Sequence, residues 1–162
     1  IPGIPLSILM SNAKITMFDA TQKKIEFINE VIKKLSLSNA DAICGRIEEI
    51  GTNNIFRETF DWVITRAMAD PYMAAELGAP LLKTGGFLYL YTSEKQSVLC
   101  EQALNHFSEL GLLQLNEEDK GSILNLQCGG ILSRKIRKTD SRYPRRIKII
   151  KRESAAAKHE IM

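Results

Sequence analysis

Short apolar runs alternate with helix-periodic segments along most of this 162-residue chain, and that alternation limits what it can fold into. The stretch KITMFDATQKKIEFI, residues 14–28, holds one full cycle. Ile15, Met17 and Phe18 make a strand-length apolar run that stops at Asp19. Ile25, Ile28, Val31, Ile32 and Leu35 then recur at three- and four-residue steps, the spacing of one helix face. The pattern predicts a strand over 13–19, a helix over 21–36, a weaker strand over 39–44 and a short helix or turn at GRIEEIG. A buried strand is expected over 60–67, a helix over 70–82 with Pro71 in its first turn, and a strand over 85–93 entered through two glycines. An amphipathic helix over 95–110 ends at Gly111, and two closing strands fit 112–117 and 122–136, the second broken at Gly129-Gly130. Such a succession calls for a mostly parallel α/β sheet with helices on both faces, closed by an antiparallel strand at one edge.

The length suits one domain with a real core, and an apolar fraction of 44% with 25% charged residues is ordinary for a globular protein. No run approaches the length of a membrane span and no signal-peptide pattern opens the chain, so a cytoplasmic protein without a membrane partner is expected. Cys44, Cys100 and Cys128 are odd in number and far apart, which suits reduced thiols and not a disulfide frame or zinc site. His106 and His159 are the two histidines, so neither a bound metal nor a histidine-based catalytic constellation is expected.

In parallel α/β sheets, ligands lie across the carboxyl ends of the strands. That rule selects Asp19 to Thr21, Gly45 to Glu48 and Thr65 to Ala67, each after a predicted strand. An acid at a strand tip facing a helix start can hold ribose hydroxyls, although Asp19 can equally serve as a helix cap. Phe60 and Trp62, inside the third predicted strand, are expected in the core.

The net charge of +3 conceals a segregation. Residues 134–152 carry ten lysines and arginines against one acid, Asp140, and the rest of the chain is acidic. Ten bases cannot pair among themselves, so they are expected to face solvent or a polyanion such as RNA. A solvated terminal charge run is the plainer alternative.

The pieces IPGIPLSIL, MFDATQKKIEFI, GRIEEI, FDWVITRAMA, APLLKTGGFL and RYPRR occur here in the order seen in one family. With them the chain closely resembles the bacterial 16S ribosomal RNA guanine-N7 methyltransferases, the glucose-inhibited division protein B family. The resemblance is dense from residue 1 to about 92 and resumes at KIRKTDSRYPRR. It implies a Rossmann-like class I fold, S-adenosyl-L-methionine as cofactor, and 16S ribosomal RNA or the small ribosomal subunit as partner, with the protein acting as a monomer. The family's first motif places an aspartate and glycines ahead of the position taken by Ile1. Their absence leads to the expectation of a fragment lacking the first strand and Gly-rich loop. The organisation expected is a methyltransferase domain over 1–152, a basic RNA-facing segment over 134–152 and a frayed tail over 153–162. LYTSEK stands where the family has Lys-Gly, a second departure.

By the same resemblance, Ile1, Asp19, Ala20, Thr21, Ile47, Glu48 and Arg66 would bind the cofactor. Arg142, Tyr143, Arg145 and Arg146 would clamp and stack on RNA. Glu48 can also be read as a first-turn helix acid, and Arg66 as its structural ion-pair partner. No catalytic acid or base is implied, because guanine N7 already carries a free lone pair. Two other readings stay open: a non-catalytic RNA-binding remnant of the fold, and a nicotinamide dehydrogenase. The second fits poorly, since the chain has no G-x-G-x-x-G.

Overall fold

The computed structural model describes residues 2–66, 69–92, 101–124 and 130–159. It divides at residue 50 into two compact units. In the first, helix α1 (Gly3–Leu9) is followed by strand β1 (Ile15–Asp19), helix α2 (Gln22–Lys34), strand β2 (Ala40–Cys44) and the short helix α3 (Ile47–Ile50). Strands β1 and β2 pair in parallel, with Ile15 opposite Ala40 and Asp19 opposite Cys44. Ile25 of α2, Ala40 and Ile50 are buried and Ile28, Val31 and Ile32 half-buried, so most of the helix-periodic face read from the sequence closes this small core, whereas Leu35, just past the helix end, is 50% exposed. Asn39 gathers the loop after α1: its side-chain amide donates to the carbonyls of Ser7, Met10 and Ala13 at 3.0–3.1 Å.

The second unit holds strand β3 (Phe60–Arg66), helix α4 (Pro71–Gly78), a 3-10 turn (Ala79–Leu81), strand β4 (Leu82–Tyr91) and helix α5 (Glu101–Glu109). Strand β5 (Leu112–Gln114), helix α6 (Glu117–Leu124), strand β6 (Ile131–Lys135) and helix α7 (Ile147–His159) complete it. The sheet order is β3-β4-β6-β5, with β3 and β4 parallel and β6 antiparallel to both neighbours. The expected antiparallel strand is therefore present, one position in from the edge that β5 occupies. Asp70 caps α4 by accepting from the Met73 amide at 3.2 Å, and Pro71 fills the first turn as its missing N–H allows. The core joins Ala74, Ala75 and Ala79 to Leu82, Leu88, Leu90, Phe107, Leu110, Leu112, Ile131 and Tyr143. Gly111, at φ 79°, ends α5 where a Cβ would sit 2.4 Å from the Arg137 carbonyl oxygen, so only glycine fits.

Three expectations are corrected here. Residues 122–136 are not one strand. Asn116 accepts from the Asp119 amide at 2.8 Å and acids fill the next turn, which starts helix α6, so 122–124 are helical and, among the described residues of that range, 131–135 are extended. Trp62 is 39% exposed and stacks on Phe87 of the neighbouring strand at 4.8 Å, and Phe60 is half-buried, so neither belongs to the core. The tail is helical through residue 159, and Ser154 and Ala157 are buried, so 153–157 is packed structure and not a frayed end. Residues 93–100 and 125–129, which include Cys100, Cys128 and Gly129, lie outside the described residues, as do Ile1, Ala67 and 160–162.

Candidate cofactor and RNA sites

Asp19 ends β1 and turns the chain into α2. Its Oδ1 accepts from the Thr21 amide at 2.8 Å, and Lys24 Nζ lies 3.2 Å from Oδ2. Burial works against the charged carboxylate, but hydrogen bonds from Thr21 and the Lys24 ammonium outweigh it and hold the carboxyl below its usual range. The side chain is about a third exposed, so an ionised acceptor stands open at the strand tip while its other contacts fix its direction. Ala20 and Thr21 are exposed beside it.

The neighbouring tip is tied to this one. The Gly45 amide donates to the Asp19 carbonyl at 3.0 Å, so the loop after β2 leaves the sheet beside the loop after β1. Ile47 and Glu48 begin α3 there, and Arg46 lies 3.8 Å from Glu48. Asp19 to Thr21 and Gly45 to Glu48, 26 residues apart in sequence, thus form one rim of the first unit. Carboxylates on such a rim could accept from ribose hydroxyls and from an exocyclic amine. In the second unit, Arg66 occupies the end of β3 opposite Tyr91, with its side chain exposed. Cys44 is a free thiol, and no metal-holding group of His, Cys, Asp or Glu exists among the described residues.

The basic segment is used differently from the sequence reading. Tyr143 is 2% exposed; its hydroxyl donates to Glu109 at 2.7 Å, so its ring is core and offers no face to a base. Arg145 is also withdrawn. It bonds to the fully buried Glu76 through its backbone amide, Nε and Nη2 at 2.7–2.9 Å, and to Glu153 through Nη1 at 2.8 Å. Lys135 is fully buried in β6, Lys138 lies 3.5 Å from Glu58, and Arg142 lies 3.8 Å from Glu109. The partners come from outside the segment, which is why counting its own single acid misjudged it. Arg134 and Arg137 on and after β6, and Arg146, Lys148, Lys151 and Arg152 farther on, are exposed and make no ion pair among the described residues; Arg137 donates to the Ser108 carbonyl, and the last four lie together. Those four run from the start of α7 along its outer side, while Ile150, Ser154 and Ala157 face inward.

Two residues of this arrangement escaped the sequence reading. Glu76, a lone acid within the apolar run YMAAELGAPLL, must be buried and so must be paired; that signal was available. Arg57 donates to the carbonyls of Gly51, Thr139, Asp140 and Tyr143 at 2.9–3.1 Å, holding the loop before α7, and no local pattern announces it.

The fold is that of the class I S-adenosylmethionine-dependent methyltransferases. A geranyl diphosphate methyltransferase solved in complex with SAM superposes with TM-score 0.56 at 9% identity, over 82% of this chain and 73% of that one. A SAM-dependent methyltransferase from Aquifex aeolicus gives 0.53 at 13% identity, over 82% and 76%. Sequence comparison is more specific: residues 1–123 match the family model described as rRNA small subunit methyltransferase G, GidB. Proteins named ribosomal RNA small subunit methyltransferase G are similar to the chain in a Nostoc species (34% identity over 149 residues) and in Lachnoclostridium phytofermentans (37% over 146). The alignments cover 90% and 89% of this chain and 60% of each relative, so the chain spans about three fifths of their length. The chain belongs to the rRNA small subunit methyltransferase G family.

Proposed function

We propose that this chain binds S-adenosylmethionine and serves the methylation of a guanine at N7 in 16S ribosomal RNA, acting as a monomer in the cytoplasm. The reading is carried by family membership over residues 1–123 together with the ionised Asp19 at a strand tip. Asp19 would accept from the ribose hydroxyls, with Ala20 and Thr21 against the adenosine. Ile47 and Glu48 would meet the adenine side, and Arg66 is assigned to the same ligand from the family pattern. Ile1, by that pattern, would stand near the methionine part.

The bound cofactor supplies an electrophilic methyl on sulfur. Guanine N7 attacks with a lone pair that is already free, so no side chain has to remove a proton first. The protein's task is to hold the ring nitrogen in line with that methyl, and orientation of this kind can contribute about 7 kcal/mol or more. For the RNA, Arg142 and Arg146 keep the role first assigned to them and are joined by the exposed Lys148, Lys151 and Arg152, whereas Tyr143 and Arg145 are withdrawn into the fold. Among the described residues no helix is long and apolar enough to cross a membrane.

The chain incubated with methyl-labelled S-adenosylmethionine and unmethylated 16S RNA is expected to label N7 of one guanine. Label at another atom would overturn the reading. Isothermal titration separates the alternative: RNA binding retained with no heat from S-adenosylmethionine would make the chain an RNA-binding module that does not use the cofactor.

A further inference from the structure

Helices α4, α5 and α7 and the loop before α7 border an open cavity of about 510 Å³ on the surface of the second unit, and none of the cofactor residues above lines it. Its wall combines Tyr72 of α4, Asn105 and Glu109 of α5, Arg142 of the loop and Ala156 of α7. Three observations say what kind of molecule suits it.

Glu109 is held by one oxygen. Oε2 accepts the Tyr143 hydroxyl at 2.7 Å, yet the side chain is 56% exposed, so a fixed carboxylate offers acceptors to the cavity. Arg142 lies with its guanidinium 4.9 Å over the Tyr143 ring while its side chain is 63% exposed. Its Nη2 donates to the Tyr143 hydroxyl at 3.2 Å, so the tyrosine holds the guanidinium while most of its plane stays accessible, and splayed bases stack on such planes. Lys148, Arg152 and Ala156 follow one another at four-residue steps, on one line of α7. Ala156 lines the cavity and both cations are exposed, so a basic track leads to its wall.

A carboxylate beside a stacking plane discriminates among bases. Guanine alone presents two adjacent donors, N1–H and N2–H, on its pairing edge, whereas adenine, cytosine and uracil each set an acceptor next to their donor. We propose that this cavity is a guanine-selective site for an unstacked nucleotide of the bound RNA, apart from the guanine that is methylated. Glu109 pairs with the base edge, Arg142 stacks on the ring, and the α7 cations hold the flanking phosphates. The identity of the RNA rests on the function proposed above; the base preference of the cavity does not.

Titrating the chain with GMP and separately with AMP, followed by proton–nitrogen correlation spectra, tests the assignment. GMP is expected to bind about tenfold more tightly than AMP, as a bidentate base contact allows, with shifts centred on Asn105, Glu109 and Arg142. Glu109→Gln still accepts the Tyr143 hydroxyl but loses the all-acceptor edge, so GMP should fall to the affinity of AMP. Arg142→Ala should weaken both nucleotides by a similar factor. Equal affinities in the unmodified chain, no saturable binding of either nucleotide, or a folded Glu109→Gln that keeps the preference would overturn the proposal. A failed methylation assay would leave a measured guanine preference standing, and an absent preference would leave the methylation reading standing.

Discussion

Arg145 closes on Glu76 with three N–H groups, from its backbone, Nε and Nη2, at 2.7–2.9 Å, and the carboxylate they grip has no exposed surface. His106 Nε2 lies 3.1 Å from the same carboxylate, near enough to interact but out of line for a hydrogen bond. The pair joins α4 to the segment that leads into α7, so it fixes the basic helix to the sheet's helical layer. Arg145→Ala leaves a buried carboxylate without its main partner and should cost about 3–5 kcal/mol. Urea unfolding checks this. A variant as stable as the parent would show that the contact contributes little.

Acid should undo the same pair. Burial pushes the Glu76 carboxyl upward, but His106 and Arg145 outweigh it and bring the group down to about 2. Because the folded value lies below the unfolded one, the stabilisation is complete above about pH 4.5 and is lost as pH falls from there toward 2. The difference corresponds to about 3 kcal/mol. Glu76→Gln should remove this limb of the stability profile while lowering stability at neutral pH. An unchanged acid limb would assign the effect to other carboxylates.

Lys135 should act in the opposite sense. Its Nζ is buried, donating to the Ala79 carbonyl and the Thr139 hydroxyl. Burial, with the nearby Arg57 and Arg137 and against Glu58, lowers it to about 8. Between about pH 8 and 10.5 the unfolded chain holds a proton that the folded one has released, so stability should climb as pH rises through that window. Lys135→Met should flatten the rise. Stability that falls steadily over this range in the parent, unchanged by the substitution, would refute it.

How far the sequence carried these assignments depends on the range of each interaction. Asp19 was legible because strand, acid and helix lie within a few residues, and the Thr21 and Lys24 contacts are equally local. The alternation from β1 to β5 was legible for the same reason, whereas helices α1 and α7 were not predicted. Arg145 was not, because its meaning is set by Glu76, 69 residues away, and Tyr143 was not, because Glu109 claims its hydroxyl from 34 residues away. A local count of charges sees neither partner. Helix α6 was hidden because Ile123 and Leu124 resemble the start of a strand, whereas the deciding signal was the Asn116 cap and three acids just before them.

Asp19 admits a direct test of cap against ligand. Asp19→Asn keeps an acceptor for the Thr21 amide, so α2 should keep its start and the melting temperature should hardly move. The charged acceptor is lost, and S-adenosylmethionine affinity should fall about tenfold or more. Arg66→Ala should also weaken binding. Calorimetric affinities equal to the parent for both variants would make Asp19 a cap and Arg66 an ordinary surface cation.

The outer side of α7 carries the last expectation. Lys148, Lys151 and Arg152 are exposed, free of ion pairs among the described residues, and carried by a helix whose inner side is anchored by Ile150, Ser154 and the Glu153–Arg145 pair. Cations that already serve a carboxylate gain little from a phosphate, whereas unpaired ones release condensed counterion when they meet one. Replacing the three by alanine should therefore lower the salt dependence of RNA binding by about 0.7 per lost single-strand contact. Stability should barely change, since none of the three touches the core. Lys138→Ala makes the comparison, because that lysine is also exposed but faces Glu58 at 3.5 Å, and its loss should leave the slope nearly intact. If Lys138→Ala lowers the slope and the triple variant does not, RNA lies along the loop before α7 and not along the helix.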